Sequence, residues 1–598
     1  MIKEHEVMHC MMKNSMQYNN TILPSIKAYA IVATAEIENL INVDWKSETA
    51  LSCYNAIKKI ACYYLHGSDP DVEIPSDIVF NLSNKLSSLD DKHIQKLMQY
   101  LIIVKNKLNN TKPYDRLIKQ LSVECLKRFF CFNTPQMFLT LDAFYQLQEY
   151  NCDYVWRALR KLGSKTQKFS GPNIVQYLFY LGMCRVPDIQ MFEIECCLDE
   201  HISEITVDEI GIASRGFFMS QRRLQNKSLM TNIMKKLETN INSISSISIG
   251  AIMKLIRYSD YCHIVPLFQE LLVSLRPQIP NLQLYAVTHI SHAMGSLRVY
   301  DEILMDNIIT RIQQDYDAAR LKDIERIIYA LCTVTPYRKY HDVCHELFKP
   351  IALTYNTTYS QEIQYFPKTL IRILVFLANK NIYSEELSEY VLNPQLVHSI
   401  YCNNIRNLTN ELLILCCSIK IELPNYKGPQ LNDNIYNCLI KKYCNRIDIS
   451  ERHISVKFRT EVIFLCKEKL KIDVHTSHIL PHYYSPEIII CFDKDNKLVP
   501  VKPILSDMPN GTIKRVDTDD LQNIKWKILF LLSSKCEVLG QNGYIGSMYQ
   551  KFRHLKAIGY TPIALPEKEF KTLTSEHEKC SYLEHKIFQE HGDDFLEG

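Results

Sequence analysis

Two stretches of the chain collect cations and exclude acids. Arg157, Arg160, Lys161, Lys165, Lys168 and Arg185 fall between Asp153 and Asp188, and Arg215, Arg222, Arg223, Lys227, Lys235 and Lys236 fall between Glu209 and Glu238. Guanidinium and ammonium groups gathered this way can hold a phosphate backbone, with Tyr177, Tyr180, Phe217 and Phe218 near enough in sequence to stack on bases. The competing reading is a pair of solvated helix faces above aromatic core residues. Lys plus Arg number 69 against 66 Asp plus Glu, a net charge of +3. With so small an excess, a nucleic-acid site has to be a local patch.

Other spacings suggest metal or phosphate chemistry but lack the groups to complete it. His475, His478 and His482, and His341 with Cys344 and His345, have zinc-like intervals. Each set lacks a fourth ligand in sequence, Pro481 interrupts the first, and the second fits a helix surface, so no metal ligand and no cofactor is assigned. The 21 cysteines are scattered singly or as the adjacent pairs Cys196-Cys197 and Cys416-Cys417, without a C-x-x-C. They read as buried thiols of a reducing compartment. Gly540, Gly543 and Gly546 are spaced unlike a G-x-G-x-x-G loop. No V-A-I-K-like lysine, H-R-D or D-F-G is present, so kinase chemistry has no candidate residues.

The elements that would position these residues are mostly helical. A chain of 598 residues is too long for one ordinary core, and 16 Gly with 23 Pro is sparse enough to favour helices over hairpins. Ile324, Ile327, Ile328 and Leu331 fall at i, i+3, i+4 and i+7, as do Leu370, Ile373, Leu374 and Leu377. Similar stripes occur at Ile174, Leu178 and Leu181, at Val287, Ile290 and Met294, and at Leu408, Leu412 and Leu415. Their starts recur at roughly 35–43 residues, the period of stacked two-helix repeats. The expectation is a mainly α fold, an irregular α-solenoid from about residue 50 to 450, with unrelated helical bundles as the alternative.

Near residue 485 the pattern changes. The β-rich run Glu487–Asp493, the run Ile528–Leu532 and the run Ile563–Leu565 alternate with helical stretches at Tyr549–Ile558 and Ser581–Phe588, which predicts an α/β region. Pro503–Asp520 reads as an exposed loop within it. No run of 18 or more uncharged apolar residues predicts insertion into a membrane. The first twenty residues carry Glu4 and Glu6, no Arg and no apolar core segment, and so lack a clear transit peptide or secretory signal.

From Gly546 the chain reads Gly546-Ser547-Met548-Tyr549-Gln550-Lys551-Phe552-Arg553-His554-Leu555, then Gly559-Tyr560, Thr561-Pro562-Ile563-Ala564-Leu565-Pro566, Glu569-Phe570 and Tyr582-Leu583. This resembles a RAP domain. Upstream, Ile421-Glu422-Leu423-Pro424-Asn425-Tyr426-Lys427-Gly428-Pro429-Gln430-Leu431 resembles the second conserved FAST region, and Thr369–Leu377 with Val391-Leu392 is similar to the end of the first. In this order the motifs resemble the Fas-activated serine/threonine kinase-like (FAST) family, mitochondrial RNA-binding proteins with a C-terminal RAP domain. They cover roughly residues 283–598.

The resemblance implies a layout: an N-terminal segment 1–50, for targeting or disordered, and helical repeats 51–282 similar to octotricopeptide arrays. It continues with FAST-like helical regions 283–365 and 366–455, and an α/β region 456–598 that holds a RAP-like domain at about 525–588, of restriction-endonuclease-like fold. In such nucleases an acid at one strand end and an acid-x-Lys on the next strand hold metal ions around a phosphodiester. Asp493 would fill the first place, whereas Ser533 stands where the second acid should lie, with Glu537 nearby. The implied function is RNA binding without intrinsic catalysis, controlling mitochondrial RNA stability, processing or ribosome assembly. The partners would be organellar transcripts and other RNA-processing proteins, in the mitochondrial matrix. The RNA contacts expected are Arg157, Arg160, Lys161, Lys165, Arg215, Arg222, Arg223 and Lys227 in the repeats, and Lys551, Arg553, His554 and Lys556 in the RAP-like helix. The alternatives are a metal-dependent endoribonuclease using Asp493 and a protein-only α-solenoid scaffold.

Overall fold

In a computed structural model of the chain, helices follow one another to Tyr443 and, among the described residues, strands begin at His475. The structure describes residues 4–14, 34–41, 43–65, 75–108, 112–184, 190–259, 264–402, 404, 407–443, 456–501, 505, 508, 511–518, 521, 523–588 and 595. Contacts divide the chain into two units, Met1–Ser274 and Leu275–Gly598.

In the first unit the helices form two stacked rows. Ala50–Leu65, Asp91–Leu108, Thr134–Gln146, Gly171–Cys184, Val207–Met219 and Ser246–Tyr258 pack each on the next. Their starts lie 36 to 43 residues apart. Between them in sequence come Ser76–Lys85, Lys112–Lys127 and Asp153–Gly163, which stack on one another, and Met191–Glu200 with Lys227–Thr239. Composition decides the row. Gly171–Cys184 is apolar around most of its circumference and buries Ile174, Val175, Tyr177, Leu178, Phe179, Tyr180 and Leu181. Asp153–Gly163 buries only one stripe, Tyr154, Val155, Ala158, Leu159 and Leu162. Two glycines let first-row backbones touch: a Cβ on Gly216 would lie 2.5 Å from the Leu178 carbonyl oxygen, and one on Gly182 would lie 2.9 Å from the Gly216 Cα. Capping boxes at Asn133 with Gln136 and Thr206 with Glu209 start two of the row helices.

The second unit repeats the stacking and then changes class. Leu284–Leu297, Leu321–Val334, Pro367–Asn379 and Asn410–Glu422 pack in succession. The stripes Ile324, Ile327, Ile328, Leu331 and Leu370, Ile373, Leu374, Leu377 are all buried in this row. The fold is thus a mainly helical region of stacked helices followed by a mixed α/β region with a small sheet.

The strands of that sheet are β1 (His475–Ser477), β2 (Glu487–Phe492), β3 (Leu498–Val499), β4 (Lys525–Leu532) and β7 (Thr561–Pro566), with β5 (Glu537–Val538) and β6 (Gly543–Tyr544) forming a separate hairpin. The order is β1-β2-β4-β7, with β3 beside β2. β2 is antiparallel to β1, β3 and β4, whereas β4 and β7 run parallel and are joined through the Gly546–Ala557 helix. β2 is buried along its whole length, as a strand covered on both faces must be. Ile488, Ile490, Leu529, Leu531, Ile563 and Leu565 pack with Phe570, Leu583 and Ile587 in one core.

One expectation is corrected here. The segment read as an exposed loop buries Lys514 and Val516 in its described part. The Val516 amide donates to the Ile558 carbonyl at 2.9 Å, and the Lys514 ammonium donates to the Ser477 hydroxyl at 2.9 Å. A chain that gives hydrogen bonds to its neighbours can lie inside despite a turn-rich composition.

Candidate nucleic-acid interface

The first basic tract lies on the outward side of the Asp153–Gly163 helix and just beyond it. Burial of one stripe leaves Trp156, Arg157 and Arg160 exposed, with Lys161 half-buried beside them. Lys165 and Lys168 are exposed in the following turn, and Arg185 lies outside the described residues. The Lys161 ammonium sits 4.8 Å from the centre of the Phe129 ring and 5.4 Å from that of Phe130. Phe130 is 87% exposed. Cations and accessible ring faces therefore share one surface, a combination that suits single-stranded nucleic acid.

The rings first considered for stacking are not the ones on this surface. Tyr177 and Tyr180 are buried, and their hydroxyls donate to the Leu159 carbonyl at 3.1 Å and the Asp142 carboxylate at 2.8 Å. Phe217 is buried and Phe218 is half-buried against Tyr258. Trp156 and Phe130 take their place. The i, i+4 spacing of Trp156 and Arg160 was the available signal.

The second tract is split by the structure. Arg222, Arg223 and Lys227 are exposed in the turn ahead of the Lys227–Thr239 helix and at its first residue. Arg223 and Lys227 line a cavity of about 320 Å³ with Gln225, Asn226 and Met230. Lys235 is exposed, while the Lys236 ammonium donates to the carbonyls of Ile202 and Ile205. Arg215 is buried, contrary to a surface role, with its guanidinium 4.0 Å from the Glu4 carboxylate. The same carboxylate pairs with Lys254 at 2.7 Å. Glu4 begins the Glu4–Asn14 helix, which packs on the first-row helices and seats His9 on Asp142 at 2.6 Å and Lys13 on Gln146 at 2.7 Å.

In the Gly546–Ala557 helix, three of the four expected RNA contacts point inward. Arg553 pairs with Glu422 at 2.9 Å and donates to the Tyr337 hydroxyl at 3.1 Å. It also donates to the Asn379 carbonyl at 2.9 Å and the Ala378 carbonyl at 2.8 Å, at the C-terminal end of the Pro367–Asn379 helix, where the helix dipole favours a cation. His554 is fully buried, with Nδ1 3.0 Å from His482 Nε2 and Nε2 3.3 Å from Glu422. Lys551 is buried on Glu487 at 2.6 Å and donates to the Ser485 hydroxyl at 3.1 Å. Only Lys556 is exposed. These cations bind the α/β region to the stacked helices instead of facing solvent.

The electrostatics follow from burial and pairing. Burial alone would push the Glu422 carboxyl up, but His554 and Arg553 together hold it down at about 2. Burial holds both His554 and His482 below the ordinary imidazole value, with Glu422 opposing this at His554. Both histidines are neutral near pH 7.

Asp493 does not stand where a nuclease acid is required. It follows β2 and closes the turn to β3, its carboxylate accepting from the amides of Asp495 at 2.9 Å and Lys497 at 2.8 Å. β2 and β4 are antiparallel, with Phe492 opposite Lys525 and Ile488 opposite Leu529. Asp493 therefore lies beside the start of β4 and Ser533 just past its end, nine residues along the strand and so about 30 Å apart at the rise of a strand. The carboxylates toward the Ser533 end are Glu567, which accepts from the Ser534 amide at 3.1 Å, and Glu487, which pairs with Lys551. Among the described residues, no group of three or more His, Cys, Asp or Glu side chains is gathered as a metal site.

No family model matches the chain. FAST kinase domain-containing protein 5, mitochondrial, of Mus musculus is 23% identical over 503 residues, which is 75% of this chain and 62% of that protein. The proteins of the same name from Macaca fascicularis and Homo sapiens are each 24% identical, over 494 and 436 residues. They are matched over 62% and 56% of their lengths, and this chain over 75% and 67% of its own. The chain thus spans less than two thirds of the curated relatives it matches.

Proposed function

We propose that the chain, 23–24% identical to FAST kinase domain-containing proteins, belongs with that family, binds RNA, and acts on RNA stability, processing or ribosome assembly through binding rather than catalysis. The relatives' names carry the word mitochondrial, and the proposed compartment is the mitochondrion. The observation that supports the reading most is the outward side of the Asp153–Gly163 helix, where Arg157, Arg160 and Lys161 stand beside the accessible rings of Trp156 and Phe130. Arg222, Arg223 and Lys227 supply a second group of exposed cations, and Lys165 and Lys556 remain solvent-facing.

The test is binding of a single-stranded ribo-oligonucleotide as a function of salt. Each phosphate contact on a single strand contributes about 0.7 to the logarithmic salt slope, so Arg222, Arg223 and Lys227 changed together to Ala should lower it by about 2. Thermal stability should move by only about 0.5 kcal/mol per site. Unchanged slopes for this variant and for Arg157→Ala with Arg160→Ala would remove both tracts from the RNA site and favour a protein scaffold. Magnesium-dependent cleavage would favour the nuclease alternative.

A further inference from the structure

The stacked helices of the second unit carry a repeated pattern on the side opposite their buried stripes. Leu284–Leu297 places Tyr285, His289 and His292 at its second, sixth and ninth positions. Leu321–Val334 places Lys322, Arg326 and Tyr329 there, and Pro367–Asn379 has Lys368 and Arg372 at the second and sixth and Phe376 at the tenth. Steps of four and then three or four keep each set on one helix face. Three consecutive repeats thus end this face in a half-buried ring, preceded by a cation in two of them.

The rings touch across the repeats. His292 and Tyr329 have centroids 5.2 Å apart, and Tyr329 and Phe376 4.9 Å apart. Gly295 makes the first contact feasible, because a Cβ there would lie 2.6 Å from Tyr329 Cε1. Beside the rings runs an ion-pair ladder: Arg320 and Arg326 on Asp323 at 2.7 and 3.2 Å, Lys322 on Glu325, and Arg372 on Glu411 at 3.0 Å. Its two signs are unequally exposed. The Asp323 and Glu325 side chains are 5% and 7% exposed, whereas those of Arg320, Lys322 and Arg372 are 39%, 38% and 35% exposed. Asp323 and Glu325 lie beneath Arg320 and Lys322 and orient them, while Arg326 is 14% and Glu411 25% exposed, so positive charge reaches solvent chiefly at Arg320, Lys322 and Arg372.

We propose that this face is a single-stranded RNA site, with bases stacking on the His292, Tyr329 and Phe376 rings and phosphates held by Arg320, Lys322 and Arg372. The proposal rests on the RNA-binding reading and adds a second, base-contacting surface to it. A line of rings one per repeat, flanked by oriented cations, matches the alternation of apolar base and anionic phosphate along a single strand.

The experiment uses the full chain and a uridine 20-mer. Ultraviolet crosslinking followed by peptide mapping should place adducts on the peptides carrying Tyr329 and Phe376. Tyr329→Leu and Phe376→Leu keep apolar volume and remove the ring faces, and should each weaken binding roughly 5- to 150-fold while leaving the salt slope unchanged. Crosslinks confined to other peptides, with folded Leu variants binding like the parent, would overturn this site and leave the RNA reading standing. Failure of the unmodified chain to bind any single-stranded RNA would overturn both, whereas binding of a protein to this face in place of RNA would overturn this site alone. If the Leu variants do not fold, the crosslink map on the unmodified chain decides.

Discussion

Arg553 shows how a correctly located residue can face the wrong way in a sequence reading. Its place in a basic helix suggests a solvent cation, but its partners lie far back in the chain, Glu422 at a separation of 131 residues and Ala378 at 175. Nothing local to Arg553 encodes them. Trp156 and Phe130 were missed for the converse reason, since exposure of a large ring is decided by which side of its helix is buried. Removing Arg553 leaves the buried Glu422 charge uncompensated, so Arg553→Ala should cost about 3–5 kcal/mol in urea unfolding. A loss near zero would show that Arg553 is not the interior anchor described. The pH dependence has a defined sign. Glu422 is held below its ordinary 4.5, at about 2, so its contribution is complete above pH 4.5 and is lost as pH falls toward 2. His482 and His554 are held below 6.5, so their contribution is complete above pH 6.5 and is also lost on acidification. Melting temperatures measured from pH 7.5 to 3 should fall in two stages, the first beginning near 6.5, and a flat profile would contradict the buried arrangement.

At the scale of elements, length and period decided what could be read. Helices such as Leu321–Val334 and Pro367–Asn379 run for three to four turns, long enough for the i, i+3, i+4, i+7 stripe to stand out. The hydrophobic strands β2, β4 and β7 were legible as apolar runs bounded by turns. β1, β3, β5 and β6 span two or three residues, too few for alternation to register, and exist because longer neighbours offer them backbone partners. Leu374 is buried in its stripe, and Leu374→Ala should cost about 2–5 kcal/mol through the cavity it leaves. Gly216→Ala tests the close helix crossing instead. A methyl 2.5 Å from the Leu178 carbonyl oxygen forces the two helices apart, and a loss of about 1–3 kcal/mol is expected by thermal unfolding. An Ala variant as stable as the parent would mean that the backbones do not approach so closely.

Over the whole molecule, the α/β region is not self-sufficient. The polar side of its Gly546–Ala557 helix is completed by Glu422, Ser418, Asn379, Ala378 and Tyr337 from the stacked helices. A fragment of residues 456–598 should therefore lack cooperative thermal unfolding, whereas Leu275–Gly598, which contains both sides, should show it by circular dichroism. The same dependence has a consequence in time. Glu422 leaves the ribosome 131 residues before Arg553, which at about 5–20 residues per second is a wait of roughly 7–26 s. Through that interval the Glu422 carboxylate has the Tyr383 hydroxyl as a donor but lacks the guanidinium that later neutralises it. The region that closes the stacked helices is thus made after them, and a chain halted before residue 546 should be held by chaperones or cleared by proteases.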